Sequence, residues 1–314
     1  MRSALAIVLE EPGRLALRSL DLVEPTAEDV VVETTWSGIS TGTERLLYQG
    51  RMPAFPGMGY PLVPGYESVG TVIEAGASSG MRVGQRVFVP GATCFGPVRG
   101  LFGGAASHLI AKATRLIPVS ADLGEASILL ALAATAAHAR AGAALVGGDL
   151  IVGHGVLGRL LARLCVIDGG SAPTVWEANS ARSDGAEGYR VVEPGQDDRR
   201  DYRTIYDVSG DPSILDSLVQ RLAPGGEIVL AGFYATPLSF AFPPAFMREA
   251  RLRIAAQWKA DDLANVSRLV VEGRLSLGGL ITHRRPAHEA EAAYPIAFND
   301  PSCLKMVLDW SSRA

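Results

Sequence analysis

Cysteine is scarce in this chain: Cys94, Cys165 and Cys303 are the only three among 314 residues, and they stand far apart. Scattered thiols of that number build neither a disulfide framework nor a four-cysteine zinc site. Histidine is almost as sparse, with five residues, and His108, His283 and His288 show no metal-ligand spacing. The formal net charge of −4 leaves no basic footprint for nucleic acid, so no such partner is expected. No uninterrupted apolar segment reaches the ~18 residues of a membrane span, so stable insertion is not expected either. The opening run Ala4-Leu5-Ala6-Ile7-Val8-Leu9 is too short for a signal peptide and meets Glu10 and Glu11 at once. The expected location is therefore the cytoplasm.

What is present is apolar material for real cores, 48% of residues, on a length that suits two domains. Up to about residue 120 the texture is β, with short runs such as Ala4–Leu9, Val30–Glu33, Ser68–Glu74 and Arg86–Val89 punctuated by Gly and Pro. That spacing suits an irregular barrel. From Glu125 to Ala143 an Ala/Leu-rich stretch reads as helix, and β/α alternation follows. Strands are expected at Leu150–Val152, Thr174–Trp176, Arg190–Val192, Ile205–Val208, Ile228–Ala231 and Leu252–Ala255, with helices between them, among them Pro212–Leu222. Six strands with crossover helices make an α/β, Rossmann-type doubly wound parallel sheet. The tail returns to strand-like sequence at Leu280–His283 and Leu304–Trp310, with a helix over Pro286–Ala297. The expected domains are residues 1–122, 123–277 and a return segment 278–314 packing on the first.

The motif richest in chemistry is Gly153-His154-Gly155-Val156-Leu157-Gly158, lying between the apolar strand Leu150–Val152 and an apolar-faced helix. Glu177 follows about 20 residues on, where the second strand ends, which completes a dinucleotide fingerprint in its required context. Gly153 permits the tight turn, Gly155 close backbone approach to a pyrophosphate, and Gly158 close helix–strand packing. A diphosphate then rests on free N–H groups at the helix N-terminus. Glu177 accepts hydrogen bonds from the adenosine ribose hydroxyls and repels a 2′-phosphate, which favours NAD. Three readings of His154 stand: a sensor of diphosphate charge, a proton acceptor lining the cleft, or a spacer whose backbone alone does the binding. Asp207-Val208-Ser209-Gly210 and Ala231-Gly232-Phe233-Tyr234 end later strands and are expected beside the cofactor, Ser209, Gly232 and Phe233 as binding residues.

Pro64-Gly65-Tyr66-Glu67-Ser68-Val69-Gly70, Val83-Gly84-Gln85-Arg86-Val87 and Leu280-Ile281-Thr282-His283 resemble turns of the medium-chain dehydrogenase/reductase superfamily, and the resemblance spans the chain. It implies a GroES-like barrel beside the dinucleotide domain. Trp36–Arg45, Phe55–Glu67 and Gly100–Ser107 are similar to one subfamily, the hydroxyethyl-bacteriochlorophyllide dehydrogenases of bacteriochlorophyll synthesis. That likeness implies NAD-dependent oxidation of a C3 1-hydroxyethyl group of a magnesium (bacterio)chlorophyllide to acetyl. By analogy, a homodimer joined through the sixth strand is expected.

The chain departs from the superfamily's zinc enzymes. Ser40 and Tyr66 stand where those carry a Cys and a His ligand; Glu67 remains, and no Cys lies near Leu130–Ala134. Only one of the three is a good zinc ligand, so no metal is expected. Without a Lewis acid, positioned side chains must take the alcohol's proton, a contribution of ~10²–10⁴ in rate. Tyr66 is the first candidate, relaying through Ser40 or Thr41, or else it merely fills the vacated site. Glu67 orients a partner or braces the turn. Thr43 and Glu44 read as the cap and first turn of a helix. On the substrate side, the loop Arg51–Tyr60 either contacts the pigment, through Arg51, Phe55 and Tyr60 with Tyr234 from the other domain, or packs on its own barrel. Arg45, Arg51 and Arg99 are candidates for a pigment carboxylate. Two other functions stay open: a zinc-independent quinone or enoyl reductase, and a nucleotide sensor without chemistry.

Overall fold

A computed structural model describes residues 2–143 and 148–312. The chain forms two compact units, Met1–Ala131 with Leu280–Ala314, and Leu132–Gly279. The first unit is mainly β: β1 (Ser3–Glu11), β2 (Arg14–Asp21), β3 (Asp29–Ile39), α1 (Thr43–Tyr48), β4 (Leu62–Val63), β5 (Ser68–Ala75), β6 (Arg86–Val89), β7 (Arg99–Gly100), β8 (His108–Lys112) and β9 (Ile117–Pro118). One sheet runs β2-β1-β4-β7; a second is built on β3, with β5, β6 and β9 on one side and β8 also paired to it. Val30, Val31, Val32 and Ile39 from β3 are buried with Ile7, Leu9, Leu62, Val87 and Leu109 in one apolar core.

A short 3-10 stretch, Ala121–Leu129, leads into α2 (Leu130–Arg140). The helix expected over Glu125–Ala143 is therefore shorter than its composition suggests. The change of unit falls inside α2, later than residue 122, because Ser127, Ile128 and Leu129 are buried against β3 and β5.

The second unit holds β10 (Leu150–Val152), α3 (Val156–Ile167), β11 (Thr174–Trp176), β12 (Arg190–Val192), β13 (Tyr202–Asp207), α4 (Leu215–Arg221), β14 (Leu222–Leu230), α5 (Phe242–Met247), β15 (Arg251–Ile254) and α6 (Ala260–Val271). Its sheet is parallel throughout, in the order β12-β11-β10-β13-β14-β15. That is the doubly wound order, with the first strand central. Leu150, Ile151 and Val152 are buried as a continuous apolar run, as a strand covered on both faces must be. The expected helix Pro212–Leu222 contracts to α4, and the chain is extended from Leu222 because Pro224-Gly225-Gly226 makes a bulge in β14. β15 is an edge of the sheet, the strand on which the dimer expectation rests, and Leu252 and Ile254 are exposed there.

The chain then returns to the first unit with β16 (His283–Pro286), α7 (Ala290–Asn299) and β17 (Met306–Asp309). β17 pairs antiparallel with β3, Met306 opposite Ile39 and Asp309 opposite Trp36, so the last strand lies beside the end of β3. Among the described residues no helix is long and apolar enough to cross a membrane.

Candidate active site

In the first unit, β3 ends at Ile39 and the chain turns into α1, while the Pro64-Gly65-Tyr66-Glu67 turn leads into β5. Gly38 N–H donates to the Glu67 carbonyl at 2.8 Å, which ties the two motifs together. A Cβ on Gly38 would lie 2.3 Å from Glu67 Oε2, so only glycine leaves room for that carboxylate. Glu67 is 0% exposed and Lys305, just before β17, is 1% exposed. Lys305 Nζ donates to Glu67 Oε1 at 2.9 Å, to Oε2 at 2.7 Å and to the Ile39 carbonyl at 3.1 Å. An ammonium thus neutralises the one good metal ligand of the motif, and all three of its protons have acceptors.

The Tyr66 hydroxyl lies 2.8 Å from Ser40 Oγ, with the Thr43 hydroxyl as a second neighbour. Its ring stands edge-on to Phe102. Burial first, and the Glu67 carboxylate second, push the phenol well above its ordinary range, against weaker pulls from Ser40 and Thr43. Tyr66 therefore stays protonated at neutral pH and acts as a hydroxyl, not a phenolate. Thr41 is exposed; Thr43, read from sequence as a helix cap, is the threonine that meets Tyr66. Glu44 is likewise more than a first-turn acid. It is 1% exposed, accepting from Ser40 N–H at 3.0 Å and from the Tyr294 hydroxyl at 2.6 Å. Desolvation raises its carboxyl to about 7, opposed by those two hydrogen bonds and the Lys305 charge, and aided by the Glu67 charge.

These groups do not fit a zinc ion. Ser40 offers a hydroxyl, Tyr66 a phenol held protonated, and Glu67 a carboxylate whose two oxygens are both engaged by Lys305. Among the described residues no cluster of three His, Cys, Asp or Glu could hold a metal. Cys94, Cys165 and Cys303 are all buried, and burial pushes the Cys94 thiol up to about 11 and Cys165 to about 12.

The loop Arg51–Tyr60 lies on its own barrel. Met52 is buried, and Phe55, Met58 and Tyr60 pack against the core. The Tyr60 hydroxyl donates to the Leu47 carbonyl, so it is committed to the fold. Arg51 is exposed, and Arg99 reaches back to the Tyr60 carbonyl.

In the second unit, Gly153 turns with φ +107°, and a Cβ on Gly158 would meet the Gly153 carbonyl oxygen at 1.9 Å. Gly155 caps α3 without a side-chain cap, and a Cβ there would meet open space. Val156 and Leu157 begin the helix, so its first N–H groups face the turn. Glu177, just past β11, accepts from His154 N–H at 3.1 Å through Oε2 and from Asn179 N–H at 2.8 Å through Oε1. Each oxygen keeps a lone pair for a diol. Ser209, after β13, lies against Gly153, and Gly232 packs on Gly210. These glycine-turn and strand-end residues fit a dinucleotide. Phe233 is half exposed, whereas the Tyr234 hydroxyl donates to buried Asp207 at 2.7 Å and is spent there. The same holds for the His154 imidazole, which is 0% exposed and bonded to Arg182 and Tyr189.

Comparison with known proteins agrees with this geometry. Residues 26–121 match the alcohol dehydrogenase GroES-like domain. The 2-desacetyl-2-hydroxyethyl bacteriochlorophyllide A dehydrogenase of Cereibacter sphaeroides is 58% identical, over 98% of this chain and 99% of that protein. The chain belongs to that dehydrogenase family, within the medium-chain dehydrogenase/reductases. The protein of the same name from Rhodobacter capsulatus is 56% identical over 97% of each chain. An alcohol dehydrogenase from Escherichia coli CFT073, solved with NADH, shares the fold with a TM-score of 0.83 at 20% identity, covering 98% of this chain and 99% of that one. The chain is accordingly an oxidoreductase acting on CH–OH groups.

Lys305, Tyr294, Arg159 and Tyr189 are the hydrogen-bond partners of Glu67, Glu44 and His154 that sequence reasoning did not find. A lysine leading into Met306-Val307-Leu308 reads as ordinary strand-end charge, and its partner Glu67 is 238 positions away. No local pattern carries that pairing.

Proposed function

We propose that this dehydrogenase uses NAD, and no zinc, to oxidise the C3 1-hydroxyethyl group of a magnesium (bacterio)chlorophyllide to acetyl in bacteriochlorophyll a synthesis. The observation that carries the substrate is end-to-end 58% identity with a relative whose name specifies a hydroxyethyl bacteriochlorophyllide. The unit Met1–Ala131 with Leu280–Ala314 supplies the acid/base groups in this proposal, and Leu132–Gly279 binds the dinucleotide. Glu177 supports NAD, because a 2′-phosphate would meet its charge. The ammonium seated on Glu67 supports zinc independence.

The bound nicotinamide supplies the acceptor for the hydride leaving the carbinol carbon. One proton must leave the carbinol oxygen as the ketone forms, and the chain's own hydroxyls carry it. The carbinol proton passes to the Tyr66 oxygen while the Tyr66 proton passes to Ser40 Oγ, and Ser40 gives up its own hydroxyl proton to a water molecule, so that one proton in all is released. Such a relay moves charge without ever requiring a free phenolate, which suits a phenol held protonated. Glu67, fixed by Lys305, orients the turn that bears Tyr66. Arg51 remains a candidate for the pigment's carboxylate, with Phe55 as an apolar contact. The contact of Tyr66 with Phe102 also suits a filler, a reading that a Tyr66→Phe variant separates.

The test is direct. Purified protein with NAD and hydroxyethyl chlorophyllide is expected to raise the NADH absorbance while the pigment band shifts. A flat trace from protein shown to bind NAD would favour a sensor instead.

A further inference from the structure

The segment between β11 and β12, residues 178–189, has little that is apolar and is solvent-exposed along most of its length. Apolar burial therefore contributes little to its position. Polar ties from the glycine turn and α3 take that role. His154 Nδ1 lies 2.6 Å from the Arg182 carbonyl and Nε2 lies 2.8 Å from the Tyr189 hydroxyl. A carbonyl only accepts, so Nδ1 carries the proton, and the neutral ring takes the Tyr189 proton at Nε2. Burial, with the Arg159 and Arg163 charges, disfavours a second proton on this imidazole, against the Arg182 hydrogen bond and the Glu177 charge. Arg159, 5% exposed, reinforces the tie: its Nε donates to the His154 carbonyl and its Nη2 to the Arg182 carbonyl, both at 3.0 Å. One turn further along α3, Arg163 pairs with Glu187.

The same residue touches both ends of the arrangement. His154 N–H holds Glu177 Oε2, while its side chain holds the loop that begins immediately after Glu177. The Asn179 N–H that holds the other carboxylate oxygen belongs to that loop. If the loop shifts, Asn179 shifts with it and the carboxylate keeps only its bond from the His154 N–H, about which it can turn.

We infer that His154 is a positioning residue for cofactor choice: its side chain straps residues 178–189 to the glycine turn and so fixes Glu177 in the orientation that accepts a ribose diol and repels a 2′-phosphate. This rests on the dinucleotide reading given above. It differs from all three sequence readings of His154, since the buried imidazole has both nitrogens engaged by Arg182 and Tyr189 and is a strap rather than a charge sensor, a proton acceptor or a bare spacer.

The experiment measures Kd for NAD and for NADP, with KM and kcat for the holoenzyme, in wild type, Glu177→Ala, His154→Ala and Tyr189→Phe. Loss of two buried hydrogen bonds in His154→Ala is expected to weaken NAD about 10- to 100-fold, and loss of one in Tyr189→Phe about 5-fold. In both, the NAD/NADP affinity ratio is expected to move toward that of Glu177→Ala, and KM for NAD to rise more than kcat falls. A purely structural role would lower the folded fraction but leave the ratio of the folded protein at the wild-type value, and that result overturns the inference. Should His154→Ala not fold, an unchanged ratio in Tyr189→Phe has the same force. A ratio that Glu177→Ala changes and the other two do not removes this inference alone. If wild type binds neither dinucleotide, both readings fall.

Discussion

The two units solve opposite problems with buried polar groups. In the second unit the glycine turn is local: Gly153 to Glu177 fall within one β-α-β passage. In the first unit the polar site is assembled from β3, α1, the turn before β5, α7 and the lead-in to β17. Its two buried carboxylates are matched differently. Glu67 meets a full ammonium, whereas Glu44 meets a phenol and a backbone N–H and is pushed toward its neutral form. Buried charge is thus tolerated in one way by pairing and in the other by proton uptake.

The largest effect is expected from removing the ammonium. Lys305→Met leaves Glu67 buried and unpaired, and breaking such a pair costs about 3–5 kcal/mol. Urea unfolding should show that loss; a midpoint close to wild type would mean that Glu67 finds water or a proton easily, and the pairing half of the contrast would fail. Tyr66→Phe comes next. It keeps the ring and its edge contact with Phe102 but deletes the hydroxyl, and turnover should fall about 10²- to 10⁴-fold with NAD affinity nearly unchanged. A fully active Tyr66→Phe enzyme would reduce Tyr66 to a filler.

The smallest effect concerns Glu44. Its carboxyl is raised in the fold from 4.5 to about 7, so folding favours the protonated form. The stability this confers is complete below about pH 4.5 and is lost as pH rises through about 7. Glu44→Gln, which imitates the protonated state, should flatten the part of the stability profile between those limits, a change on the order of 1–3 kcal/mol. An unaltered profile would show that Glu44 is ionised throughout and matched like Glu67.

The same contrast explains what could be read from sequence. The parallel sheet and the glycine turn follow from periodicity and spacing over short distances, and Thr174–Trp176 and Arg190–Val192 are found where expected. Ser40 and Tyr66 stand out as departures from a metal motif in which Glu67 remains, and the structure does bring Ser40 and Tyr66 into contact. Which threonine joins them was not legible: a turn between β3 and α1 sets Thr43 rather than Thr41 toward the phenol. Tyr60 is a substrate candidate from the apolar composition of its loop and Tyr234 from its place after the fifth strand of the sheet, and the structure adds that both hydroxyls close internal hydrogen bonds. Lys305 and Tyr294 lie beyond any local pattern, since their partners are reached only once the return segment lies beside β3.

The central claim is that a lysine ammonium, not a metal ion, sits against the acidic residue of the old metal motif while hydroxyl groups handle the proton. Elemental analysis of active enzyme, with turnover measured before and after exhaustive dialysis against a chelator, addresses it most directly. The account predicts no stoichiometric metal and unchanged turnover. One divalent ion per chain, whose removal abolishes turnover and whose return restores it, would contradict it.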